Sequence, residues 1–190
     1  MAVRSSVAAA RALIMTIRAT HATAFAPGPL YRFLADDHAR LEGLLQRAVT
    51  PTAIDLASYA EFRAGLLKHI GMEEKILLPA VKAARNGEPL PIAAKLRLDH
   101  GAIAALMVPS PTPKLVAALR TILIAHNAIE EGPGGLYDLC ERAAGAQVGA
   151  WLERLRAAPE VAVSPYNDSP RVLPAARRAL ERAGYALDLE

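Results

Sequence analysis

Two stretches of the sequence place a histidine four residues before a glutamate on the apolar face of a predicted helix. "LLKHIGMEEKILLPAV" contains His69 and Glu73, and "ILIAHNAIEEG" contains His126 and Glu130. Four residues rise about 6 Å along a helix and return to nearly the same face, so each pair can reach one cation or one ion each of a close pair. A buried carboxylate costs several kcal/mol unless a positive charge meets it, and no Lys or Arg lies on either apolar stripe. The pattern therefore predicts a metal site.

Two further histidines, His38 and His100, interrupt the apolar stripes of the other two predicted helices. The fifth, His21, lies near the N-terminus without helical context. A lone histidine on an apolar face is more often a core residue bonded to a backbone carbonyl than a metal ligand. Here one histidine falls on each predicted helix, and two carboxylates need counter-charge, which favours coordination. The candidate ligands are His38, His69, Glu73, His100, His126 and Glu130.

The ligand types narrow the choice of metal without deciding it. Imidazole with carboxylate suits iron, zinc, manganese, copper or nickel. Six protein ligands exceed a closed tetrahedral zinc site and suit two ions. If both glutamates bridge an octahedral pair that also shares one oxo or hydroxo bridge, about two of its twelve positions stay open for a small exogenous molecule. The ferritin-like sites, with four Glu and two His in Glu-x-x-His spacing, are of a different class.

Acidic residues next to the candidate ligands have more than one interpretation. Glu74 and Glu131 follow the proposed glutamate ligands, and each could replace its neighbour as the ligand. Asp37 and Asp99 precede histidines and lie about 100° round the helix, where they could bond to imidazoles of neighbouring helices or could simply be solvated. Glu42 forms a third His-x-x-x-Glu with His38 and is predicted to be solvated.

The residues after the last candidate ligand are also ambiguous. A "GPGG" break at 132–135 could widen access to the site or re-aim the following helix. Tyr137 and Cys140 come directly after it. Either side chain could line an entrance, and core packing is the simpler prediction for both.

The elements that must position these residues are all helical. We predict an all-α, up-down-up-down four-helix bundle, because strand signals are absent and the connections are short. A repeat of "KHIGMEEKILLPAV" in "AHNAIEEGPGGLYDLC" indicates a duplicated helix pair. Pro79 is expected to kink or tighten the end of the second helix. The first predicted helix covers about 29–48. The second starts in "TPTAID" (50–55), with Pro51 or a neighbour in its first turn, and ends at about 85. The third covers about 92–108, and the fourth covers 113–156 with the break at 132–135.

Three regions of the chain follow from this assignment. We predict a flexible N-terminal extension over 1–28, the bundle over 29–157, and a linker with a C-terminal helix (175–184) over 158–190. That last helix could cover the bundle or mediate dimerisation, and the sequence leaves the oligomeric state open.

Composition excludes several classes of protein. The 190 residues are 53% hydrophobic and only 5% aromatic, which favours helices over a β-sandwich. The net charge is +3 and the basic residues are scattered, so no nucleic-acid surface is indicated. Cys140 is the single cysteine, so no disulfide can form within the chain, and a cytoplasmic location is predicted. The sequence contains no run of about 18 apolar residues, so it predicts no transmembrane segment.

Four short motifs resemble the hemerythrin-like HHE cation-binding family over roughly residues 29–155. They are "DDH" at 36–38, "HIGMEE" at 69–74, "LDH" at 98–100 and "HNAIEE" at 126–131. The resemblance implies a four-helix bundle holding a non-haem di-iron centre, with the six candidate residues as ligands. It also implies roles in oxygen, nitric oxide or peroxide handling, iron sensing, or repair of damaged iron centres.

Two departures from the oxygen-carrying hemerythrins change the small molecule that the site is expected to bind. Those carriers have a fifth histidine one turn from the first on the third helix, where this chain has Leu96 and Ala104 on either side of His100. They also end with His-x-x-x-x-Asp, where this chain has His126-x-x-x-Glu130. With one nitrogen ligand fewer, access by nitric oxide or peroxide, or iron release, is favoured over reversible oxygen carriage.

The leading hypothesis is a cytoplasmic di-iron protein that binds a diatomic or peroxide ligand for sensing, detoxification or iron handling, served by a redox partner. Two iron ions are the expected cofactors, with manganese or zinc as alternatives. A competing hypothesis is an oxidoreductase on the same scaffold that turns over nitric oxide or peroxide. A third is a helical interaction module with a structural metal. No general acid or base, nucleophile or organic-substrate pocket is evident, so the sequence leaves open whether the protein is an enzyme.

Overall fold

A computed structural model describes residues 27–50 and 53–189, and this part of the chain is all-helical, as predicted. Within it there is no strand, only an isolated bridge between Val49 and Ile54. No helix in these ranges is long and apolar enough to cross a bilayer. The elements are α1 (Pro29–Ala48), α2 (Leu56–Met72), a π-helical turn (Glu73–Leu77), α3 (Leu78–Ala84), α4 (Ala93–Leu106), α5 (Pro113–Glu131), α6 (Leu136–Ala144), a 3₁₀ turn (Gly145–Gln147), α7 (Val148–Arg156) and α8 (Val172–Ala183).

Two predictions concern residues that lie outside the described part of the chain. They are the N-terminal extension and the start of the second helix at Pro51 or a neighbour. Of 1–28, the structure describes only Pro27 and Gly28, and His21 lies outside it. The second helix begins at Leu56, later than predicted. Its start is fixed by Asp55, whose carboxylate accepts a hydrogen bond from the Ala57 N–H at 3.0 Å.

Helix α5 begins as the sequence predicts. Thr112 is the N-cap, and its hydroxyl accepts a hydrogen bond from the Leu115 N–H at 3.2 Å. Pro113 occupies the first turn, where its missing N–H leaves no donor unpaired. The helix ends at Glu131, immediately before the glycine-rich break.

The second helical segment widens into the π-helical turn just before Pro79. The Leu78 N–H donates to the carbonyl of Glu73, five residues earlier. Pro79 has no N–H to donate to the carbonyl of Lys75, and its ring crowds that carbonyl. Of the two alternatives predicted at Pro79, tightening is wrong, because the turn before it widens instead. Such turns occur frequently at functional sites, and this one begins at a candidate ligand.

Two apolar clusters fill the interior, and the candidate ligands lie where the helices pass from one to the other. On α1, Leu30 and Leu34 belong to one cluster and Leu41 and Leu45 to the other, with His38 between them. The same change of cluster occurs at the histidines of α2, α4 and α5. The site is thus a polar layer enclosed by apolar side chains on both sides.

The C-terminal helix α8 packs against α4 and starts three residues earlier than predicted, within the region assigned as linker. Lys95 of α4 donates to the carbonyl of Ala183 at 3.2 Å, and its ammonium lies 4.6 Å from the centre of the Tyr185 ring. Ahead of α8, the Asn167 N–H donates to the carbonyl of Val108 at 3.0 Å. This helix therefore covers α4, one of the two roles that the sequence left open, and its part in dimerisation stays a prediction.

A distant glutamate caps the first turn of α1. The Glu141 carboxylate, on α6, accepts hydrogen bonds from the N–H groups of Leu30 at 2.8 Å and Tyr31 at 3.1 Å. A side chain at Gly28 would overlap that carboxyl group, so this close approach requires glycine. The negative charge also complements the positive end of the helix dipole.

We expect Glu141→Ala to lower the free energy of unfolding by about 1–2 kcal/mol, because two N–H groups lose their acceptor. Urea denaturation measures this difference. Glu153→Ala, at an exposed glutamate of α7, is the control and should change stability by less than about 0.5 kcal/mol. Equal losses in both variants would contradict the capping role.

Candidate metal centre

The fold brings all six candidate ligands together in the buried polar layer. Each is at most 7% exposed, and both glutamates are fully buried. They form two groups, within each of which one potential ligand atom per residue lies within 4.8 Å of the others. The first group is His38, His69, Glu73 and Glu130, and the second group is Glu73, His100, His126 and Glu130.

Glu73 and Glu130 belong to both groups and direct one carboxylate oxygen to each. Each oxygen faces the Nε2 atom of a different histidine. The nitrogen–oxygen distances are 3.3 Å from His69 to Glu73 Oε1, 3.1 Å from His100 to Glu73 Oε2, 3.5 Å from His38 to Glu130 Oε2, and 3.1 Å from His126 to Glu130 Oε1. Carboxylates in this orientation could bridge two cations.

A second set of carboxylates faces the outer nitrogens of the histidines. In each case the Nδ1 atom meets an acidic residue from a neighbouring helical segment. The pairs are His38 with Glu131 at 2.6 Å, His69 with Asp37 at 2.8 Å, His100 with Glu74 at 2.7 Å, and His126 with Asp99 at 3.5 Å. Such partners fix the orientation of an imidazole and keep its Nε2 directed at the centre.

These contacts decide between the interpretations that the sequence left open. Asp37 and Asp99 face imidazoles of neighbouring helices rather than solvent alone. Glu74 and Glu131 also face outer nitrogens and do not belong to either group. Glu42 is exposed, as predicted, and accepts a hydrogen bond from Gln46 at 2.8 Å.

Sequence reasoning missed Tyr137, whose hydroxyl lies inside the first group. The side chain is fully buried, and the hydroxyl donates to Glu73 Oε1 at 2.8 Å. It also lies close to the other three residues of the group. Those distances are 3.1 Å to His38 Nε2, 3.2 Å to His69 Nε2 and 3.3 Å to Glu130 Oε2. Core packing, the simpler prediction for this residue, is an incomplete description of it.

The glycine-rich break is what returns Tyr137 to the site. Gly135 packs so closely against the carbonyls of Ile129 and Glu130 that a side chain there would overlap them. Gly134 has φ +74°, a conformation that glycine adopts without strain. The break therefore re-aims α6, so that a residue seven positions after Glu130 reaches the same site. Cys140, one turn further on, is buried in the apolar cluster beside it.

The charges of the site are balanced between imidazoles and carboxylates. Burial alone would lower the pKa of His69, but the charge of Glu73 and the hydrogen bond to Asp37 raise it to about 10. Burial would also lower the pKa values of His100 and His126. Neighbouring carboxylates outweigh it and raise these pKa values to about 10 and about 9. Without metal, protons on these imidazoles therefore supply the positive charge that the buried glutamates need.

The carboxylates show the reciprocal effect. Burial would raise the pKa of Glu73, but the positive charge of His69 and the contact with His100 hold it well below its usual value. Burial would likewise raise the pKa of Asp37, but hydrogen bonds from His69 and Arg40 lower it to about 2. At Tyr137, burial and the negative charges of Glu130 and Glu73 raise the pKa well above its usual value.

Several buried polar atoms of the second group make no hydrogen bond within the described part of the chain. They are Glu73 Oε2, His100 Nε2, His126 Nδ1 and Glu130 Oε1. Ion-pair distances of 3.1 Å partly compensate Glu73 Oε2 and Glu130 Oε1, and a bound cation would satisfy such atoms more completely. The buried histidines and glutamates could thus coordinate a metal ion, and their donor atoms suit one.

Comparison with known proteins adds no assignment. No protein-family model, curated protein or solved structure matches the chain. The site is therefore interpreted from its own geometry.

The metal-free protein should lose stability as the pH rises from 6.5 to 10. The pKa values of His69, His100 and His126 are higher in the folded state than the ordinary 6.5, so their stabilising contribution is complete below pH 6.5 and disappears as the pH passes 9 to 10. We expect the free energy of unfolding, measured with a chelator present, to fall by at least about 2 kcal/mol over this range. His126→Gln should reduce the slope. A constant or rising stability would show that the imidazoles are not charged in the folded state.

Proposed function

We propose that this chain is a hemerythrin-like, non-haem di-iron protein that binds a small ligand such as oxygen, nitric oxide or peroxide. Its role would be sensing, detoxification or iron handling. The observation that carries the proposal is that Glu73 and Glu130 each direct one oxygen to each of two histidine-containing groups. We further infer that the long helical segments form an up-down-up-down four-helix bundle around this layer.

The donor set supports iron as the metal. Four imidazoles and two carboxylates are intermediate in softness, which suits iron, whereas sites for magnesium or calcium are dominated by oxygen. Two bridging carboxylates also exceed what a closed tetrahedral zinc needs. When bound, two such irons would supply one-electron redox chemistry and open coordination positions.

The residues of the chain have distinct roles in this proposal. Glu73 and Glu130 would bridge the ions and neutralise part of their charge. With a metal bound, the Nδ1–H groups of His38, His69 and His100 would donate to the outer carboxylates, and each Nε2 would give up its proton and offer a lone pair to the metal. The apolar clusters on both sides would exclude bulk water from the centre.

The space around the site favours a ligand of a few atoms. A cavity of about 30 Å³ beside His38 has room for about one water molecule. A larger cavity of about 520 Å³ touches Asp37 but none of the six candidate ligands. Neither space, in the described part of the chain, would place an organic substrate at the centre.

We expect protein produced in iron-supplied cells to contain about two irons per chain, and Glu73→Gln or Glu130→Gln to reduce this to about one or fewer, because each removes a shared ligand. Metal analysis with circular dichroism measures content and folding. Glu42→Gln is the matched control, since Glu42 also lies four residues after a histidine but is exposed. Wild-type protein that stays folded and metal-free after anaerobic reconstitution with iron(II) would overturn the proposal.

Titration of the reduced, iron-loaded protein with oxygen, nitric oxide and peroxide would then distinguish binding from turnover. Saturation at a fixed ratio per centre supports a binding protein. Consumption of ligand well beyond that ratio, without loss of iron, supports the oxidoreductase alternative.

The outer carboxylates should tune the affinity for metal. We expect Asp37→Asn to weaken iron(II) binding about 10–100-fold, because His69 loses the charged acceptor that orients it. Competition with a coloured chelator measures the affinity. Asp36→Asn is the control, since Asp36 is the exposed neighbour in the sequence. Equal weakening by both substitutions would contradict a specific role for Asp37.

A further inference from the structure

The hydroxyl of Tyr137 makes four close polar contacts in the first group, one more than the hydrogen bonds of a phenol explain. It lies between 2.8 and 3.3 Å from one ligand atom of each of the four residues in the group. A phenol has one proton to donate, and Glu73 Oε1 accepts it at the shortest distance. Its oxygen can accept from the imidazole N–H groups of His38 and His69, but the 3.3 Å contact with Glu130 Oε2 then brings two acceptor oxygens together with no proton left between them.

We propose that the phenol oxygen of Tyr137 is a fifth protein ligand to the ion held by His38 and His69. This inference rests on the proposed function, since it requires a metal in the first group. As the oxygen binds the cation, its proton leaves to solvent and an oxygen–metal bond forms, with no change of oxidation state. Proton release on metal binding is usual for protonated ligands.

The distances agree with coordination. For metal–ligand bonds of about 2.1 Å, adjacent corners of an octahedron lie about 3 Å apart. The hydroxyl is at this separation from all four neighbouring ligand atoms at once. A cation would also reverse the local charge that keeps the phenol protonated in its absence.

The second group has no corresponding ligand among the described residues. In the duplicated sequence, an ungapped alignment of His69 with His126 places Ala80 opposite Tyr137. Alanine offers no donor atom. The first ion would therefore have five protein ligands and the second ion four, so the open positions would be concentrated at the ion held by His100 and His126.

The test compares the absorption and resonance Raman spectra of iron(III)-loaded wild-type protein with those of Tyr137→Phe. Coordination should give the wild type a visible phenolate-to-iron charge-transfer band with enhanced tyrosine ring vibrations. Tyr137→Phe should lose both and retain at least half of the iron. Tyr59→Phe is the matched control, because Tyr59 is equally buried but packs in the other apolar cluster.

The outcomes separate this inference from the proposed function. Iron-loaded wild type without a phenolate band, or a band that survives in Tyr137→Phe, would overturn the tyrosine ligand and leave the di-iron proposal standing. Wild type that binds no iron would overturn both. Because the Raman signature is read on the wild type, the inference does not depend on the variant folding.

Discussion

The burial of two carboxylates constrains the rest of this structure. Glu73 and Glu130 are fully buried between apolar clusters, where an uncompensated charge would cost several kcal/mol. The described structure meets that charge with imidazoles whose pKa values are raised, so that protons remain on them near neutral pH. Metal ions would displace these protons and supply the same charge more strongly. The same imidazoles could therefore compensate the two carboxylates with or without a metal ion.

The outer carboxylates extend this constraint to the whole set of helices. Asp37 on α1 faces the histidine of α2, and Asp99 on α4 faces the histidine of α5. Glu74, in the π-helical turn, faces the histidine of α4, while Glu131 on α5 faces the histidine of α1. The four carboxylate–imidazole contacts thus form a closed ring, in which an acidic residue of each long helical segment contacts the histidine of the next. Since each contact works only at one rotation of its helix, the ring fixes the rotations that direct all four Nε2 atoms inward.

The sequence predicts the components of the site better than their pairing. The six candidate residues could be found because a charged or polar side chain on an apolar helical face is costly and therefore informative. The start of α5 could be predicted because Thr112 and Pro113 act locally. The sequence offered Asp37 and Asp99 as partners of imidazoles on neighbouring helices, but it could not decide between this and solvation, or add Glu74 and Glu131 to the ring, because both depend on how the helices are rotated. Tyr137 was missed for the same kind of reason, since only the fold of the glycine-rich break returns it to the centre.

The internal sequence repeat matches the symmetry of the site, and the two halves differ where that symmetry fails. Each half contributes one Asp-His and one His-x-x-x-Glu-Glu motif, so each type of contact in the ring occurs twice. In both halves the α-helix is interrupted at the glutamates or directly after them, by a π-helical turn in the first and by a glycine-rich break in the second. After the π-helical turn Ala80 lies in the core, whereas after the glycine-rich break Tyr137 lies at the centre. The two groups of potential ligands, which the repeat would make equivalent, thereby have different surroundings, because only the first has a tyrosine hydroxyl beside it among the described residues.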